Sequence, residues 1–111
     1  MKRLIFAAGS CLLWAGLLMI QSCSSAPEKP SAYVVEIKDM KFVPEDITVK
    51  KGDTITFINR DMMAHDVTEE TAKSWSSGKM EADVSWKLVV SEAATYYCSI
   101  HTVMKGKIEL E

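Results

Sequence analysis

Three metal-binding side chains recur at three-residue intervals near the end of this chain, and this spacing constrains the fold more than any other feature. The residues are Cys98, His101 and Met104, in the stretch Thr-Tyr-Tyr-Cys-Ser-Ile-His-Thr-Val-Met-Lys-Gly at positions 95–106. Two aromatics precede the cysteine and Lys-Gly-Lys-Ile-Glu-Leu follows the methionine, so both flanks predict strands and the residues between them a loop. Such a loop can turn all three donors inward.

The types of donor indicate the metal. A thiolate, an imidazole and a thioether suit a soft or borderline metal ion, and two imidazoles with one thiolate and a weak axial thioether form a blue-copper electron-transfer site. That set needs a second imidazole, and His65 is the only other histidine in the chain. Zinc could also bind one cysteine and two histidines, but Cu(II) binds more tightly in the general order of affinities. A type 1 copper site in this chain therefore either uses His65 beside Cys98, His101 and Met104 or does not exist in this form.

Each of these residues taken alone has a simpler interpretation. A single histidine at the end of a strand is most often a surface or core residue, and a single methionine most often fills a core. A lone buried cysteine can pack as a small hydrophobic side chain. Their ordered spacing within one loop is what favours a metal site.

Apolar residues two positions apart predict an all-β domain. The sets are Val35 and Ile37, Ile47 and Val49, Ile55 and Phe57, and Trp86, Leu88 and Val90. Lys51-Gly52-Asp53 predicts a turn between two strands. About seven or eight short strands fit this part of the chain, which predicts a Greek-key β-sandwich. Residues 69–83, rich in Thr, Ser, Lys and Gly, are expected to form an excursion with at most a short strand or turn near Trp75.

The loop and one upstream segment resemble the cupredoxins, the small blue-copper proteins. The loop matches the short C-x-x-H-x-x-M-K-G pattern of the amicyanin and pseudoazurin type, and the upstream stretch Asn59-Arg60-Asp61-Met62-Met63-Ala64-His65-Asp66-Val67 is similar to the segment that supplies the first histidine. The resemblance covers roughly residues 33–111. It implies a cupredoxin-like sandwich that holds one type 1 copper per chain. The ligands would be His65, at the end of one strand, and Cys98, His101 and Met104 in the loop.

Several positions depart from the family pattern. Asp66 stands where the family usually has an asparagine whose side chain helps to tie the two ligand loops together, and Ala64 and Ile100 stand where prolines commonly precede the histidines. None of these changes removes a ligand, but we expect them to affect the rigidity of the loops and the hydrogen bonds to the sulfur. We also hypothesise that the charge of Asp66 makes the reduction potential depend on pH.

The resemblance implies a monomeric electron carrier whose His101 ring edge reaches the surface and passes electrons between docked redox donor and acceptor proteins. Apolar neighbours on the two ligand loops are candidates for the docking surface, although loop residues of this kind can also simply pack. These neighbours are Met62, Met63, Ala64, Ile100 and Val103.

Copper delivery, storage or sensing is the alternative function, because Met62 and Met63 would add soft donors near the site. A complete four-ligand blue site holds copper tightly, however, and does not favour its release. Enzymatic copper centres, such as those of nitrite reductases and multicopper oxidases, need several additional histidines. None remains once His65 and His101 are used, so we expect no enzymatic activity.

The beginning of the chain predicts export and a lipid anchor. Residues 1–3 are Met-Lys-Arg, residues 4–20 are almost wholly apolar, and Ile20-Gln21-Ser22-Cys23 resembles a bacterial lipoprotein cleavage box. We therefore expect a signal peptide over residues 1–22, a lipidated Cys23 with a flexible tether over 23–32, and a copper-binding domain over 33–111. Cys11 is a weaker candidate for lipidation, and an uncleaved signal anchor would give nearly the same topology. Either anchor would leave the rest of the chain outside the cytoplasmic membrane, and we expect a periplasmic-side lipoprotein of the inner or the outer membrane.

Export also gives Cys98 its significance. Thiols outside the cytoplasm are normally oxidised to disulfides, yet removal of Cys11 and lipidation of Cys23 would leave Cys98 without a partner. Metal ligation explains such a lone thiol. Cleavage would also remove Lys2 and Arg3 but no acidic residue. The resulting mild acidity argues against a nucleic-acid partner, which would favour a basic patch.

Overall fold

The structure, a computed structural model, describes residues 29–111 and shows eight β-strands and no helix in that range. The strands are β1 (Ala32–Lys38), β2 (Lys41–Val43), β3 (Asp46–Val49), β4 (Thr54–Asn59), β5 (Thr68–Glu69), β6 (Ser85–Val89), β7 (Ala94–Tyr97) and β8 (Lys105–Leu110). They form two four-stranded sheets, in the orders β2-β1-β4-β6 and β3-β8-β7-β5. The predicted all-β sandwich is confirmed.

The predicted signal peptide, Cys23 and the first part of the tether lie outside the described residues, so these assignments stay predictions. Within residues 29–111 no helix is long and apolar enough to cross a membrane.

Each of the two sheets contains one parallel pair of strands. β1 runs parallel to β4, with Val35 opposite Phe57, and β3 runs parallel to β8, with Ile47 opposite Ile108. The other neighbouring strands are antiparallel. The predicted turn at Lys51-Gly52-Asp53 is present, and it carries the chain from β3 in one sheet to β4 in the other.

Side chains that alternate between the two faces of each strand build the core between the sheets. The predicted pairs on β1, β3 and β4 are buried, and Trp86 and Leu88 pack half-buried against them. Tyr96 is fully buried at the centre, where its ring meets the edges of Phe42 and Phe57 at centroid distances of 4.8 and 5.4 Å. Burial of an apolar side chain of this size contributes about 1.5–3 kcal/mol.

A buried aspartate fixes one end of the sandwich. Asp53 accepts hydrogen bonds from the backbone N–H groups of Ser31 and Lys50, both at 2.8 Å. Gly52 before it has a φ of +95°, which glycine adopts without steric cost. From this turn β4 carries the chain about 17 Å, at about 3.4 Å per residue, to the opposite end of the sandwich.

Residues 69–83 form the expected irregular excursion. The short strand in this region, β5, lies at its start rather than near Trp75, and isolated bridges join His65 to Met80 and Thr68 to Ser76. Trp75 packs against Trp86 at a centroid distance of 5.9 Å. The excursion therefore folds back beside the segment that carries His65.

Glu69 organises the turn that follows β5. Its carboxylate accepts hydrogen bonds from the backbone N–H groups of Thr71 at 2.8 Å, Ala72 at 2.7 Å and Ser74 at 3.2 Å. Desolvation alone would raise the pKa of Glu69, but these donors outweigh it and lower the pKa to about 2. The charge of Glu69 thus has a structural role.

Candidate metal centre

Two loops at one end of the sandwich bring three donor side chains together. His65 lies between β4 and β5, Cys98 directly follows β7, and His101 lies in the loop before β8. Their ligand atoms all lie within 4.8 Å of one another. Cys98 Sγ is 3.8 Å from His65 Nδ1 and 3.9 Å from His101 Nδ1. His65 and Cys98 are fully buried, whereas His101 is half-buried.

These separations fit a single metal ion. With bonds of about 2.0–2.3 Å to nitrogen and sulfur, two ligands of a trigonal site stand about 3.7 Å apart. The observed sulfur–nitrogen distances of 3.8 and 3.9 Å are close to that value. One thiolate and two imidazoles in a trigonal arrangement are the strong donors of a type 1 copper site. The geometry therefore suits the predicted copper cofactor.

The loop that joins β7 to β8 runs from Cys98 to Met104, as predicted. The N–H of Cys98 donates to the carbonyl of Met104 at 3.1 Å, and the N–H of Met104 donates to the carbonyl of His101 at 3.0 Å. The loop thus closes on itself through its backbone. Met104 is only 2% exposed, so its thioether is held away from water. Its role as the weak axial ligand stays a prediction.

Asp61 holds the buried histidine from the other side of its ring. His65 Nε2 lies 2.8 Å from Asp61 Oδ2. A proton on Nε2 that is donated to this carboxylate leaves Nδ1, which faces Cys98, free to bind a metal. Asp61 also accepts hydrogen bonds from the N–H groups of Asp39 at 2.8 Å and Met40 at 3.0 Å, in the turn between β1 and β2. Desolvation would raise the pKa of Asp61, but the bonds from Met40, His65 and Asp39 outweigh it and hold the pKa below its usual range.

Asp61 was not among the residues predicted for the site. The available signal was a carboxylate four residues before a candidate histidine ligand. Asn59, at the end of β4, supports the same segment: its Nδ2 donates to the carbonyls of Met63 at 2.9 Å and Met80 at 3.0 Å, and its Oδ1 accepts from the N–H of Asp61 at 3.0 Å. This fully buried side chain therefore shapes the loop around His65.

Asp66 links the two ligand loops. Its Oδ1 accepts a hydrogen bond from the N–H of Ser99 at 2.7 Å, and its Oδ2 accepts one from the Ser99 hydroxyl. The backbone N–H of Asp66 donates to Cys98 Sγ at 3.4 Å. A side-chain link between the two ligand loops is therefore present with aspartate at this position.

Apolar side chains on the two ligand loops are exposed at the surface. Val103 is 84% and Met62 96% exposed, while Met63 and Ile100 are about half exposed. Four exposed apolar residues on the two ligand loops are more than the scattered single ones that need no explanation. Four of the five predicted docking residues are thus exposed instead of packing into the core, and the fifth, Ala64, is half-buried.

Comparisons with known proteins agree with this geometry. The copper-binding proteins of the plastocyanin/azurin family match residues 31–111 of this chain. Amicyanin from Paracoccus denitrificans is 33% identical over 94 residues, which cover 79% of this chain and 72% of that protein. Amicyanin from Paracoccus versutus is 26% identical over 117 residues, which cover 96% of this chain and 89% of that protein.

Solved structures share the fold. A Cu(I) structure of an amicyanin variant aligns with a TM-score of 0.66 at 31% identity, covering 72% of this chain and 82% of that one. A copper-containing nitrite reductase from Thermus scotoductus SA-01 aligns with a TM-score of 0.67 at 22% identity, covering 75% of this chain. The alignment spans only 23% of the reductase, so it concerns the sandwich alone.

Proposed function

This chain belongs to the plastocyanin/azurin family of copper-binding proteins, and we propose that it is a type 1 copper electron carrier that shuttles single electrons between redox partners at the bacterial membrane. Bound copper would supply the one-electron chemistry by alternating between Cu(II) and Cu(I). The observation that carries the proposal is the convergence of His65, Cys98 and His101 within 4.8 Å. We assign the fourth ligand position to Met104, in the same loop.

The protein contributes a frame that moves little between the two oxidation states. Copper prefers different geometries in those states, so fast electron transfer requires ligands that stay in place. His65 is fixed at its Nε2 by Asp61, and Cys98 receives the N–H of Asp66 at its sulfur. Both supports come from the segment between β4 and β5, and they hold donors from the two ligand loops in one arrangement.

Electrons would leave through His101. Its Nδ1 faces the sulfur of Cys98, and this half-buried residue lies in the same loop as the exposed Ile100 and Val103. An apolar surface around such a ring suits a partner that docks briefly, because its burial needs no specific charge pairs. Val103 and Met62 are the most exposed members of this surface.

A lysine placed in this surface tests the docking role. We expect Val103→Lys to slow electron self-exchange between two copies by about tenfold or more, since the docked copies would bring two like charges together. Exchange is measured by NMR line broadening in mixtures of oxidised and reduced protein. The matched control is Val89→Lys, because Val89 is 64% exposed on β6 and away from the ligand loops. Equal rates in the two variants would contradict the proposed docking surface.

Copper delivery is the second candidate, and the 96% exposure of Met62 is the observation that favours it. An exposed thioether beside the site could receive Cu(I) on its way to an acceptor. Replacement of Met62 and Met63 by leucine would then slow transfer of Cu(I) to a chelator while leaving self-exchange unchanged. An electron carrier would instead show rapid self-exchange and slow copper release both in the natural protein and in the double variant.

We further propose that the protein is exported and attached to the membrane through a lipid on Cys23. Stable attachment requires two or more acyl chains, at about 0.8 kcal/mol per buried CH₂ group, and the carrier would then diffuse in two dimensions on its tether. Labelling with radioactive palmitate tests this: we expect incorporation in the natural protein and in Cys11→Ser, but not in Cys23→Ser. Labelled Cys23→Ser protein would contradict the assignment.

A further inference from the structure

Asp66 carries a buried carboxylate and donates its backbone N–H to the sulfur that would bind the metal. The residue is 6% exposed, and its own N–H lies 3.4 Å from Cys98 Sγ. Its carboxylate oxygens accept from the N–H and the hydroxyl of Ser99, and Oδ1 also accepts from the hydroxyl of Thr68 at 3.0 Å. The carboxylate thus belongs to the residue that directly follows His65 and whose own N–H faces the sulfur of Cys98.

The surrounding hydrogen bonds suit an ionised carboxylate. Thr68 gives its single hydroxyl proton to Asp66, so the hydroxyl of Ser76, 2.9 Å away, must donate to Thr68. Ser76 in turn accepts from the N–H of Gly78 at 3.2 Å. Each hydroxyl in this series of hydrogen bonds therefore donates toward Asp66. An ionised carboxylate, which can only accept hydrogen bonds, requires this pattern.

No cation neutralises this charge in the part of the chain that the structure describes. The ion pairs of residues 29–111 join other acidic residues to lysines, to Arg60 or to His65, and none includes Asp66. A buried charge without a counterion acts strongly on its neighbours, because the protein interior screens it less than water does. Because the N–H of the same residue contacts the sulfur of Cys98, the charge lies close to the proposed metal site.

We propose that Asp66 is a positioning residue that also lowers the reduction potential of the copper site through its negative charge. This inference rests on the proposed electron-carrier function. Copper(II) with one thiolate carries a net positive charge, which the carboxylate stabilises, whereas addition of one electron from a reduced donor protein removes that charge. The carboxylate therefore favours the oxidised state. An asparagine at this position would keep the link to Ser99 without this effect.

The test compares reduction potentials of the full chain and three variants, measured by redox titration of the copper-loaded proteins. We expect Asp66→Asn to shift the balance toward Cu(I) at least tenfold, which corresponds to about 59 mV for a one-electron couple. Asp53→Asn is the matched control, because Asp53 is also buried and accepts two backbone N–H groups, but at the opposite end of β4. It should reduce the thermal stability of the copper-free protein without moving the potential.

Thr68→Val provides a second measurement that does not depend on the folding of the asparagine variant. Loss of the hydroxyl that faces Asp66 leaves the carboxylate less compensated, so the potential should fall, opposite in sign to Asp66→Asn. The inference would be overturned if the potentials of Asp66→Asn and Thr68→Val shifted in the same direction or did not shift. It would also be overturned if Asp53→Asn shifted the potential as much as Asp66→Asn. Failure of the natural protein to form a blue copper site would instead refute the electron-carrier function, and the inference with it.

Discussion

Gly106 closes the ligand loop against the core, and Gly106→Ala tests how tightly the two are packed. This glycine is the last residue of the Met104-Lys105-Gly106 motif. It lies opposite Tyr96 in the pairing of β7 with β8. A Cβ atom at position 106 would lie 2.2 Å from Tyr96 Cζ and 2.4 Å from its hydroxyl oxygen. Non-bonded carbon atoms prefer about 3.5–4.0 Å, so the ring would have to retreat by about 1.3 Å or more.

The ring of Tyr96 has no room to retreat. It is fully buried, and it packs against Phe42 at 4.8 Å, Phe57 at 5.4 Å and Trp75 at 6.2 Å between ring centroids. Overpacking of a filled core costs about 1–3 kcal/mol, and we expect Gly106→Ala to lie at the upper end, at about 3 kcal/mol. For a domain of this size that lowers the melting temperature by on the order of 10–20 °C.

Equilibrium unfolding of the copper-free protein in urea measures this loss. Gly78→Ala is the control, because Gly78 has a φ of +67° with no atom near the added Cβ, so its substitution strains only the backbone, at about 1 kcal/mol. Tyr96→Leu should rescue part of the loss in the double variant, with a coupling energy of about 1–3 kcal/mol. A loss for Gly106→Ala no larger than for Gly78→Ala, or additive effects with Tyr96→Leu, would refute the steric explanation.

Three further substitutions test the supports of the site and the turn after β5. Asp61→Ala should weaken copper binding by about 10–100-fold in competition with a chelator, because His65 loses its Nε2 partner; unchanged affinity would argue against that role. Asn59→Ala should lower the free energy of unfolding in urea by about 2–3 kcal/mol, because the carbonyls of Met63 and Met80 lose a donor. A loss within about 0.5 kcal/mol, as for an ordinary surface substitution, would contradict this role. The lowered pKa of Glu69 means that its unfolded form binds more protons between about 2 and the ordinary value of 4.5, so this part of the stability is present above pH 4.5 and is lost on acidification toward 2. Glu69→Gln should therefore flatten the decline of stability with falling pH, and equal slopes in the two proteins would contradict this.

The ligand loop could be predicted from sequence because its chemistry is local. Cys98, His101 and Met104 lie within seven residues between two strands, and such a short loop has few ways to point three donors apart. The alternation of apolar residues likewise predicted the strands, since burial of one face of a strand follows from its period of two. His65 entered only because it was the remaining histidine and lay in a recognisable segment.

The support for His65 could not be predicted, because it depends on a turn that the sequence does not signal. Asp39 and Met40 both have positive φ, at 52° and 61°, in the two-residue turn between β1 and β2. Turns of this form usually contain asparagine and glycine, and neither is present here. The carboxylate of Asp61 accepts from both N–H groups of the turn and so holds it in place beside His65.

The pairing of the strands could not be predicted from the periodicity of the apolar residues either. A period of two tells which residues of a strand face the core, but it does not tell which strand lies next to it. β3 and β4 follow each other closely in the chain and yet belong to different sheets, each with a parallel partner distant in sequence. Such pairings come from the closure of the whole sandwich, to which all eight strands contribute.

The visible and electron paramagnetic resonance spectra of the protein with one equivalent of Cu(II) test the four-ligand site most directly. We predict an intense thiolate-to-copper band with narrow copper hyperfine splitting, absent in Cys98→Ser and shifted in Met104→Gln. A pale protein with the spectrum of ordinary tetragonal copper, or one that binds no copper, would contradict the assignment of His65, Cys98, His101 and Met104 as a type 1 site.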